Sequence, residues 1–152
     1  GELAHVDLGE GVLVGEAGLI AMSEDLGKHW RVVPSPYPGS LFGVTYMPRG
    51  GYVAYGMRGK VMRSSDWGAM WTDLESGITS PFFSATLLRD GRLVLAGKDG
   101  VLALMEPDGS RIETRHTADR RTVSRVIEES GQEWLLMGDA GIRRVRWNEL
   151  GK

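Results

Sequence analysis

A repeat of 41 residues runs through the whole chain and constrains its fold more than any other feature of the sequence. The repeat is carried by pairs of glycines three positions apart, namely Gly15 and Gly18, Gly56 and Gly59, Gly97 and Gly100, and Gly138 and Gly141. Each pair follows a short apolar run, such as residues 12–14 in the first repeat and 94–96 in the third. A period of this length is typical of arrays in which each repeat is one supersecondary unit.

Each repeat has the pattern of several short strands. In the second repeat, residues 41–47, 52–55, 60–63 and 71–74 are β-prone, and segments rich in glycine, proline and serine separate them. No window carries a sustained helical periodicity of apolar residues. Glycine at both ends of the turn after the second strand is expected if the backbone there adopts positive φ. Four strands in about 41 residues predict one blade of a β-propeller.

The predicted fold class is therefore all-β, a β-propeller-type array of about four four-stranded antiparallel blades. Dividing 152 residues by 41 gives about 3.7 repeats, so we expect the last blade to lack its fourth strand. We interpret residues 1–152 as one domain, with blades at approximately 1–40, 41–81, 82–122 and 123–152. The sequence starts without Met and without a recognisable signal peptide, so we expect a processed or truncated chain.

A second motif recurs with the same period. It consists of Ser23, Asp25, Gly27 and Trp30 in the first repeat and of Ser64, Asp66, Gly68 and Trp71 in the second. We expect the serine and the aspartate to accept hydrogen bonds from the backbone of their own turn, and the tryptophan to bury its ring between blades. The alternative, that the aspartates are metal ligands or catalytic acids, is disfavoured because no second acidic residue follows at the spacing of a calcium loop. In the third repeat only the glycine of the motif remains.

Composition argues against several classes of function. The chain has 18 basic and 20 acidic residues, a net charge of −2, which removes the electrostatic case for a nucleic-acid-binding protein. It contains no cysteine, and its three histidines lie far apart in sequence. We therefore predict neither a metal site nor a cofactor. No apolar run approaches the length that a membrane-spanning helix needs.

Residues 23–30 and 64–71 resemble the Asp-box (BNR) motif, which occurs in sialidases, sortilin-type receptors and photosystem II stability/assembly factor-like propellers. The surrounding residues 12–18, 40–44 and 138–144 resemble the last group most, in particular its bacterial members. The resemblance covers essentially the whole chain, but only about half of a typical seven-bladed member. It implies a non-enzymatic, extracytoplasmic or lumenal propeller that binds or helps to assemble a membrane protein complex. It also implies that the Asp boxes lie on the rim, away from the ligand face.

Candidate contact residues for a ligand or partner lie in the turns between the second and third strands. These turns share one face with the connectors between blades, and loops on a rigid scaffold commonly carry binding residues. The candidates are Glu16, Arg58, Lys98, Asp99 and Asp139. The alternative for each is a charged turn residue that faces solvent and binds nothing. Tyr37, in a proline-rich connector, is either a further contact residue or packs over the adjacent blade. The pairs Arg120-Arg121 and Arg143-Arg144 either bind an acidic group or form a solvated face.

Three functions remain open at this stage. The first is a non-catalytic scaffold that binds a protein partner through the turn face. The second is a sialidase-like glycoside hydrolase, which needs an arginine cluster and an activated tyrosine. In this chain Arg58 would have to bind the substrate carboxylate and Tyr37 or Tyr55 would have to be the activated tyrosine. The turns, however, offer only one arginine. The third is a purely architectural half-propeller. An arc of 3.7 blades exposes apolar faces at both ends, so we expect a homodimer or a fragment of a longer propeller, with a closed four-bladed monomer as the competing geometry.

Overall fold

The computed structural model describes residues 2–5 and 11–152 as a series of short strands joined by turns. Sheet A consists of β1 (Glu2–His5), β2 (Gly11–Val14), β3 (Ile20–Ser23) and β4 (Arg31–Val32). Sheet B consists of β5 (Leu41–Met47), β6 (Gly51–Gly56), β7 (Val61–Ser64) and β8 (Thr72–Leu74). Sheet C consists of β9 (Phe82–Leu87), β10 (Leu93–Gly97), β11 (Val101–Met105) and β12 (Ile112–His116). Sheet D consists of β13 (Val123–Glu128), β14 (Glu133–Gly138) and β15 (Gly141–Arg146).

The four sheets are antiparallel meanders in which each strand pairs with the next along the chain. The first strands of successive sheets, β1, β5, β9 and β13, pack against one another and form the inner side of the array. Within the described residues the helical elements are single 3₁₀ turns at Glu16–Gly18, Met57–Gly59, Lys98–Gly100 and Trp147–Glu149. Sheet D has three strands where the others have four. The predicted all-β, propeller-type array with an incomplete last sheet is confirmed.

The core consists of three apolar clusters, one between each pair of successive sheets. Alternation along the strands produces them, because neighbouring side chains of a strand point to opposite faces. On β6, for example, Tyr52 and Ala54 pack toward sheet A, whereas Val53 and Tyr55 pack toward sheet C. Sheets B and C are thus covered on both faces. None of the three clusters of the described residues joins sheet D to sheet A.

In sheets B, C and D the first glycine of the repeated pair is needed for a close backbone contact, whereas a Cβ on Gly15 would meet only the Leu19 side chain, at 3.5 Å. Gly56 and Gly97 have extended backbones, with φ of −176° and −167°, so our expectation of positive φ at this position is wrong. A Cβ on Gly97 would lie 1.9 Å from the carbonyl oxygen of Pro81, and one on Gly56 would lie 2.2 Å from that of Ser40. The same carbonyls accept hydrogen bonds of 3.1 Å from the amides of Met57 and Lys98.

The second glycine of the pair does have the predicted conformation. Gly18, Gly59 and Gly100 have φ between 69° and 73°. Each also touches the connector that leads to the next sheet, since a Cβ on Gly18 would lie 1.9 Å from the oxygen of Tyr37. In sheets B and C the two glycines therefore hold the turn between the start of the inner strand and the outgoing connector.

The fourth turn is built differently from the other three, which the sequence repeat does not predict. Gly138 pairs directly with Gly141, and Asp139-Ala140 form a two-residue hairpin. In sheet B, Ala54 pairs with Met62, and a shift by two repeats of 41 residues would pair Leu136 with Arg144. In sheet D, Leu136 pairs with Arg143 instead. No atom lies within 4 Å of a Cβ on Gly141, so no connector clamps this turn. The one-residue shift turns every side chain of β15 to the opposite face.

The C-terminal residues fasten sheet D to sheet C. The Trp147 ring packs on Trp134 with centroids 5.6 Å apart, and the Arg115 guanidinium lies 4.7 Å above the Trp147 ring. Gly151 and His116 exchange two backbone hydrogen bonds of 2.6 and 3.2 Å. The outer strand of sheet C is thereby tied to the end of the chain.

The close contact at the first glycine predicts a large cost for Gly97→Ala. Because the new methyl group would overlap the Pro81 carbonyl, we expect the free energy of unfolding in urea to fall by about 2–3 kcal/mol. The control is Gly131→Ala, where nothing lies within 4 Å of the added Cβ and the loss should stay within about 0.5 kcal/mol. Equal losses for the two variants would contradict the clamp.

Candidate binding face

The turns between second and third strands and the inter-sheet connectors form one continuous surface, which we name the turn face. It comprises the turns 15–18, 56–59, 97–100 and 138–141 and the connectors 33–40, 75–81 and 117–122. Hydrogen bonds join the two kinds of segment. Leu41 N donates to Gly15 O (3.0 Å), Ser76 Oγ donates to Gly59 O (2.7 Å) and Thr117 N donates to Gly100 O (3.0 Å). These hydrogen bonds fix the turns and the connectors of the turn face relative to one another.

The tips of the first three turns are fixed in a left-handed conformation. Ala17, Arg58 and Asp99 have φ of 54°, 56° and 60°, a conformation that non-glycine residues keep only where the surroundings determine it. Asp99 is anchored further, because its carboxylate accepts a hydrogen bond of 2.8 Å from Ser80 Oγ. The backbone at these tips is thus preorganised.

Most of the predicted contact residues point their charges into solvent. Glu16, Arg58, Lys98 and Asp139 are exposed, and within the described part of the chain their side chains make no hydrogen bond or ion pair. The turn face thus places acidic side chains at its two ends, and the unpaired cations Arg58 and Lys98 lie on the two middle turns. The five turn residues lie on one face, as expected from the topology.

Phe42 and Phe83 form an exposed aromatic pair that was not among the predicted contact residues. Their rings lie 5.8 Å apart and are 39% and 42% exposed. Phe42 and Phe83 come two residues after Ser40 and Pro81, whose carbonyls accept hydrogen bonds from the turns of sheets B and C. Both residues therefore lie near the start of the inner strands β5 and β9, next to the turn face. The two positions are 41 residues apart, and a search for repeated aromatic residues at that period would have found them.

Tyr37 packs against the sheet B turn and does not project into solvent. Its ring packs against the cluster between sheets A and B, its hydroxyl donates to Met57 O (3.4 Å), and Lys60 Nζ lies 4.9 Å above the ring. Of the two roles considered, this arrangement is the packing one. Tyr55 is buried in the cluster between sheets B and C and does not reach the turn face.

The Ser-Asp-Gly-Trp motifs lie at the opposite edge, after the far ends of β3 and β7. In the first motif Ser23 Oγ donates to Asp25 Oδ1 and accepts from Gly27 N, each at 2.9 Å. Asp25 Oδ1 also accepts from His29 N (2.9 Å), and Trp30 Nε1 donates to Gly27 O (3.0 Å). The second motif repeats these four bonds at 2.8–2.9 Å, with Ser64, Asp66, Gly68, Met70 and Trp71.

These bonds stabilise the ionised aspartates. The His29 backbone amide and then its ring hold the pKa of Asp25 at about 2, below the ordinary value of 3.8. The pKa of Asp66 is lowered chiefly by the Met70 amide and then by the Ser64 hydroxyl. Both carboxylates thus serve as backbone acceptors. Among the described residues no cluster of three or more His, Asp or Glu side chains could hold a metal ion.

The two tryptophans differ in burial. Trp71 is 7% exposed and packs into the cluster between sheets A and B, as predicted. Trp30 is 39% exposed, so the prediction of a ring buried between blades is wrong for the first motif. The reason is that the Trp71 ring packs against the preceding sheet, and within the described residues sheet A follows no other sheet.

The paired arginines are engaged by other groups of the chain. Arg143 binds both carboxylate oxygens of Asp119 (2.7 and 3.1 Å), and Arg144 binds Glu129. Arg121 donates to the Asp139 carbonyl at 2.7 Å. Of these two pairs, only Arg120 has no such partner within the described residues.

Comparison with known proteins shows the fold. A chain solved as YCF48 bound to D1 peptide is 18% identical, has a TM-score of 0.71 and matches 99% of this chain and 51% of its own. The computationally designed Ika4 protein is 12% identical, with a TM-score of 0.74 over 95% of this chain and 89% of its own. The WD40 β-propeller domain of Doa1 is 10% identical, with a TM-score of 0.57 over 97% of this chain and 64% of its own.

The chain therefore has a β-propeller-type fold and spans about half the length of the YCF48 chain. No family model and no curated protein matches the sequence. In the part of the chain that the structure describes, no helix has the length and apolar character needed to cross a membrane.

The lowered pKa values predict that the motifs lose their stabilising effect in acid. Since the folded pKa of Asp25 is about 2 and its ordinary value 3.8, its contribution is present above about pH 4 and disappears as the pH falls through 2. We expect the double variant Asp25→Asn/Asp66→Asn to show a smaller fall in unfolding free energy over this range, measured by urea titration at several pH values.

The control is Asp139→Asn, because the exposed Asp139 carboxylate makes no hydrogen bond or ion pair within the described residues. This variant should keep the acid sensitivity of the unsubstituted protein. If instead the double variant shows the full acid sensitivity, the aspartates do not act as ionised acceptors.

Proposed function

We propose that this protein is a non-catalytic binding or assembly module that holds an extended segment of a partner protein on its turn face. The observation that carries the proposal is the exposed Phe42–Phe83 pair on the inner strands of sheets B and C, whose turns carry the unpaired cations Arg58 and Lys98 and are hydrogen-bonded to the start of those strands.

The chemistry of these groups selects a class of ligand. Exposed aromatic rings give an apolar side chain a large contact area, and such anchors carry much of the energy of protein interfaces. Arg58 and Lys98 attract carboxylates, and neither has to leave an existing ion pair to bind one. Because the turn backbones are fixed, little conformational entropy is lost on binding. The preferred ligand is a peptide with a large apolar residue next to Asp or Glu.

Two further observations support a protein partner. The YCF48 structure with a similar fold was solved with a D1 peptide, so a propeller of this kind can bind peptide. The motif hydrogen bonds at the opposite edge agree with assignment to the Asp-box propellers that resemble photosystem II assembly factors. That assignment extends the proposal to an extracytoplasmic protein that assists a membrane complex.

The absence of catalysis is part of the proposal. A sialidase-like site would use an arginine cluster with an accessible tyrosine. Tyr55 is buried between sheets, and the tyrosine hydroxyl at the turn face, that of Tyr37, donates to a backbone carbonyl. These placements favour binding over glycoside hydrolysis.

The proposal predicts selective binding of acidic, apolar peptides. Fluorescence anisotropy with labelled nine-residue peptides, each carrying Leu or Phe flanked by Asp or Glu, should detect binders, and the same peptides with Lys in place of the acidic residues should bind at least about tenfold more weakly. Phe83→Ala should weaken binding about tenfold or more. The double variant Arg58→Asp/Lys98→Asp should weaken it by a larger factor, which shrinks at high salt.

The matched control is Lys28→Asp/Arg49→Asp, which changes the net charge equally but on exposed residues of the opposite edge. It should leave the affinity within about threefold of the unsubstituted protein, since remote surface charges are screened. Equal losses in the two double variants, or equal binding of the lysine peptides, would overturn the proposed site.

A further inference from the structure

A cavity of about 190 Å³ lies in sheet B between two turns, the one that joins β5 to β6 and the one that follows β7. Its lining includes Tyr46, Arg49, Arg63, Ser65 and Trp67, and we name it the Trp67 pocket. Both turns lie at the edge that carries the Ser-Asp-Gly-Trp motifs, opposite the turn face. The pocket is therefore separate from the proposed peptide site.

One wall of the Trp67 pocket is a stacked aromatic pair. The Trp67 ring lies 5.9 Å from the Tyr46 ring with 12° between the ring planes, and Tyr46 in turn contacts Tyr52 edge-on at 5.3 Å. Trp67 is nevertheless 44% exposed. Its backbone has φ of 62°, in a turn that is fixed by a hydrogen bond of 2.8 Å from the Gly68 amide to Ser64 Oγ. The ring is thus held in place by the protein while part of its surface stays open to a ligand.

Two arginines bring positive charge to the same pocket. Arg49 is exposed and forms no ion pair within the described residues; the pKa of Asp108 is lowered chiefly by the Ser110 hydroxyl and, to a smaller extent, by the charge of Arg49. Arg63 is half-buried, and its Nε donates to the Gly50 carbonyl. Its terminal guanidinium nitrogens make no hydrogen bond to the described part of the chain. The pocket therefore offers N–H donors of the kind that bind carboxylates.

The combination of Trp67 and Arg63 occurs in one repeat and is not required by the fold. The first and third repeats have other residues at these positions, namely Leu26 and Asp108 for Trp67, and Met22 and Leu104 for Arg63. Met22 and Leu104 are buried in the clusters between sheets, with exposures of 5% and 7%. Desolvation of a guanidinium at such a position costs free energy that an apolar side chain would not cost. An anion that binds Arg63 would offset this cost.

We propose that the Trp67 pocket binds a small aromatic acid, a single planar ring that carries a carboxylate. The ring packs against Tyr46 and Trp67, and the carboxylate accepts hydrogen bonds from Arg63 and Arg49. The size of the pocket agrees with this class, because a cavity of about 150 Å³ is enough for benzene and the Trp67 pocket is larger. Its charge agrees as well, since the lining described above includes two arginines and neither Asp nor Glu.

The first test is a titration with benzoate followed by two-dimensional ¹H–¹⁵N NMR, in which each indole N–H gives its own signal. We expect the Trp67 signal to shift with a dissociation constant of about 0.1–1 mM, while the Trp30 signal stays in place. Benzamide keeps the ring without the charge, and acetate keeps the charge without the ring. Each should bind at least about tenfold more weakly than benzoate. An unshifted Trp67 signal, or equal affinity for benzamide or acetate, would overturn the proposal.

Two substitutions give the pocket the residues that the first repeat has at the same positions. Trp67→Leu copies Leu26, whose backbone has the same left-handed conformation with φ of 61°, and Arg63→Met copies Met22. Each should raise the dissociation constant of benzoate at least about tenfold, because one removes the stacked ring and the other a guanidinium. Thermal unfolding checks that both variants are folded, and Arg49→Leu is a third variant that changes only an exposed residue. An unchanged affinity in Trp67→Leu, or in Arg63→Met and Arg49→Leu together, would contradict the assignment.

The matched controls remove an arginine and an aromatic ring elsewhere. Arg125→Met replaces an exposed arginine of sheet D, and Phe83→Ala removes an exposed ring of the turn face. Both should leave the dissociation constant of benzoate within about threefold of that of the unsubstituted protein. Trp67→Leu should likewise leave the affinity for the turn-face peptides unchanged. The pocket and the turn face are thus tested by different ligands and different variants, so either proposal can fail alone.

Discussion

The close approach of two backbones at the Gly-x-x-Gly turns of sheets B, C and D is the contact on which the rest of the structure depends. The carbonyl that precedes β5, β9 or β13 occupies the space in which a side chain at Gly56, Gly97 or Gly138 would begin. This contact fixes the inner strand against its own second strand, and the second glycine then fixes the outgoing connector. The contact recurs in sheets B, C and D, and the glycines that allow it recur without insertion or deletion. The regular stacking that buries the three clusters follows from it.

The sequence allowed prediction of the architecture because backbone constraints of this kind repeat. The strands of sheets B and C, the turns between them and the short sheet D all followed from the 41-residue period. The reason for the first glycine could not be obtained in this way, since a close contact and a positive φ both select glycine. The one-residue register shift of β15 could not be predicted from the sequence either, because Gly138 and Gly141 have the same spacing as the other glycine pairs. What differs is that none of the described residues lies within 4 Å of a Cβ on Gly141, and the turn is a two-residue hairpin.

The shift decides what the last sheet shows to its surroundings. In the common register Arg143 would point outward from sheet D and Arg144 would point toward sheet C. The shifted strand instead gives Arg143 to Asp119 and places Val145 in the cluster with sheet C. It also turns Ile142 outward. The same shift turns Arg144 and Arg146 outward, where they pair with Glu129 and Glu133.

The candidate site was harder to predict than the fold for a reason that lies in the same turns. The turns make their recurring contacts through backbone atoms and glycines, so the side chains of the two residues between the glycines differ from repeat to repeat: Glu16-Ala17, Met57-Arg58, Lys98-Asp99 and Asp139-Ala140. Topology places them on one face, but their chemistry follows no period that could reveal a ligand. Phe42 and Phe83 do follow the period, and they are exposed although apolar side chains at neighbouring positions of the inner strands are buried. Their exposure at a repeated position is the feature on which the proposed peptide site rests.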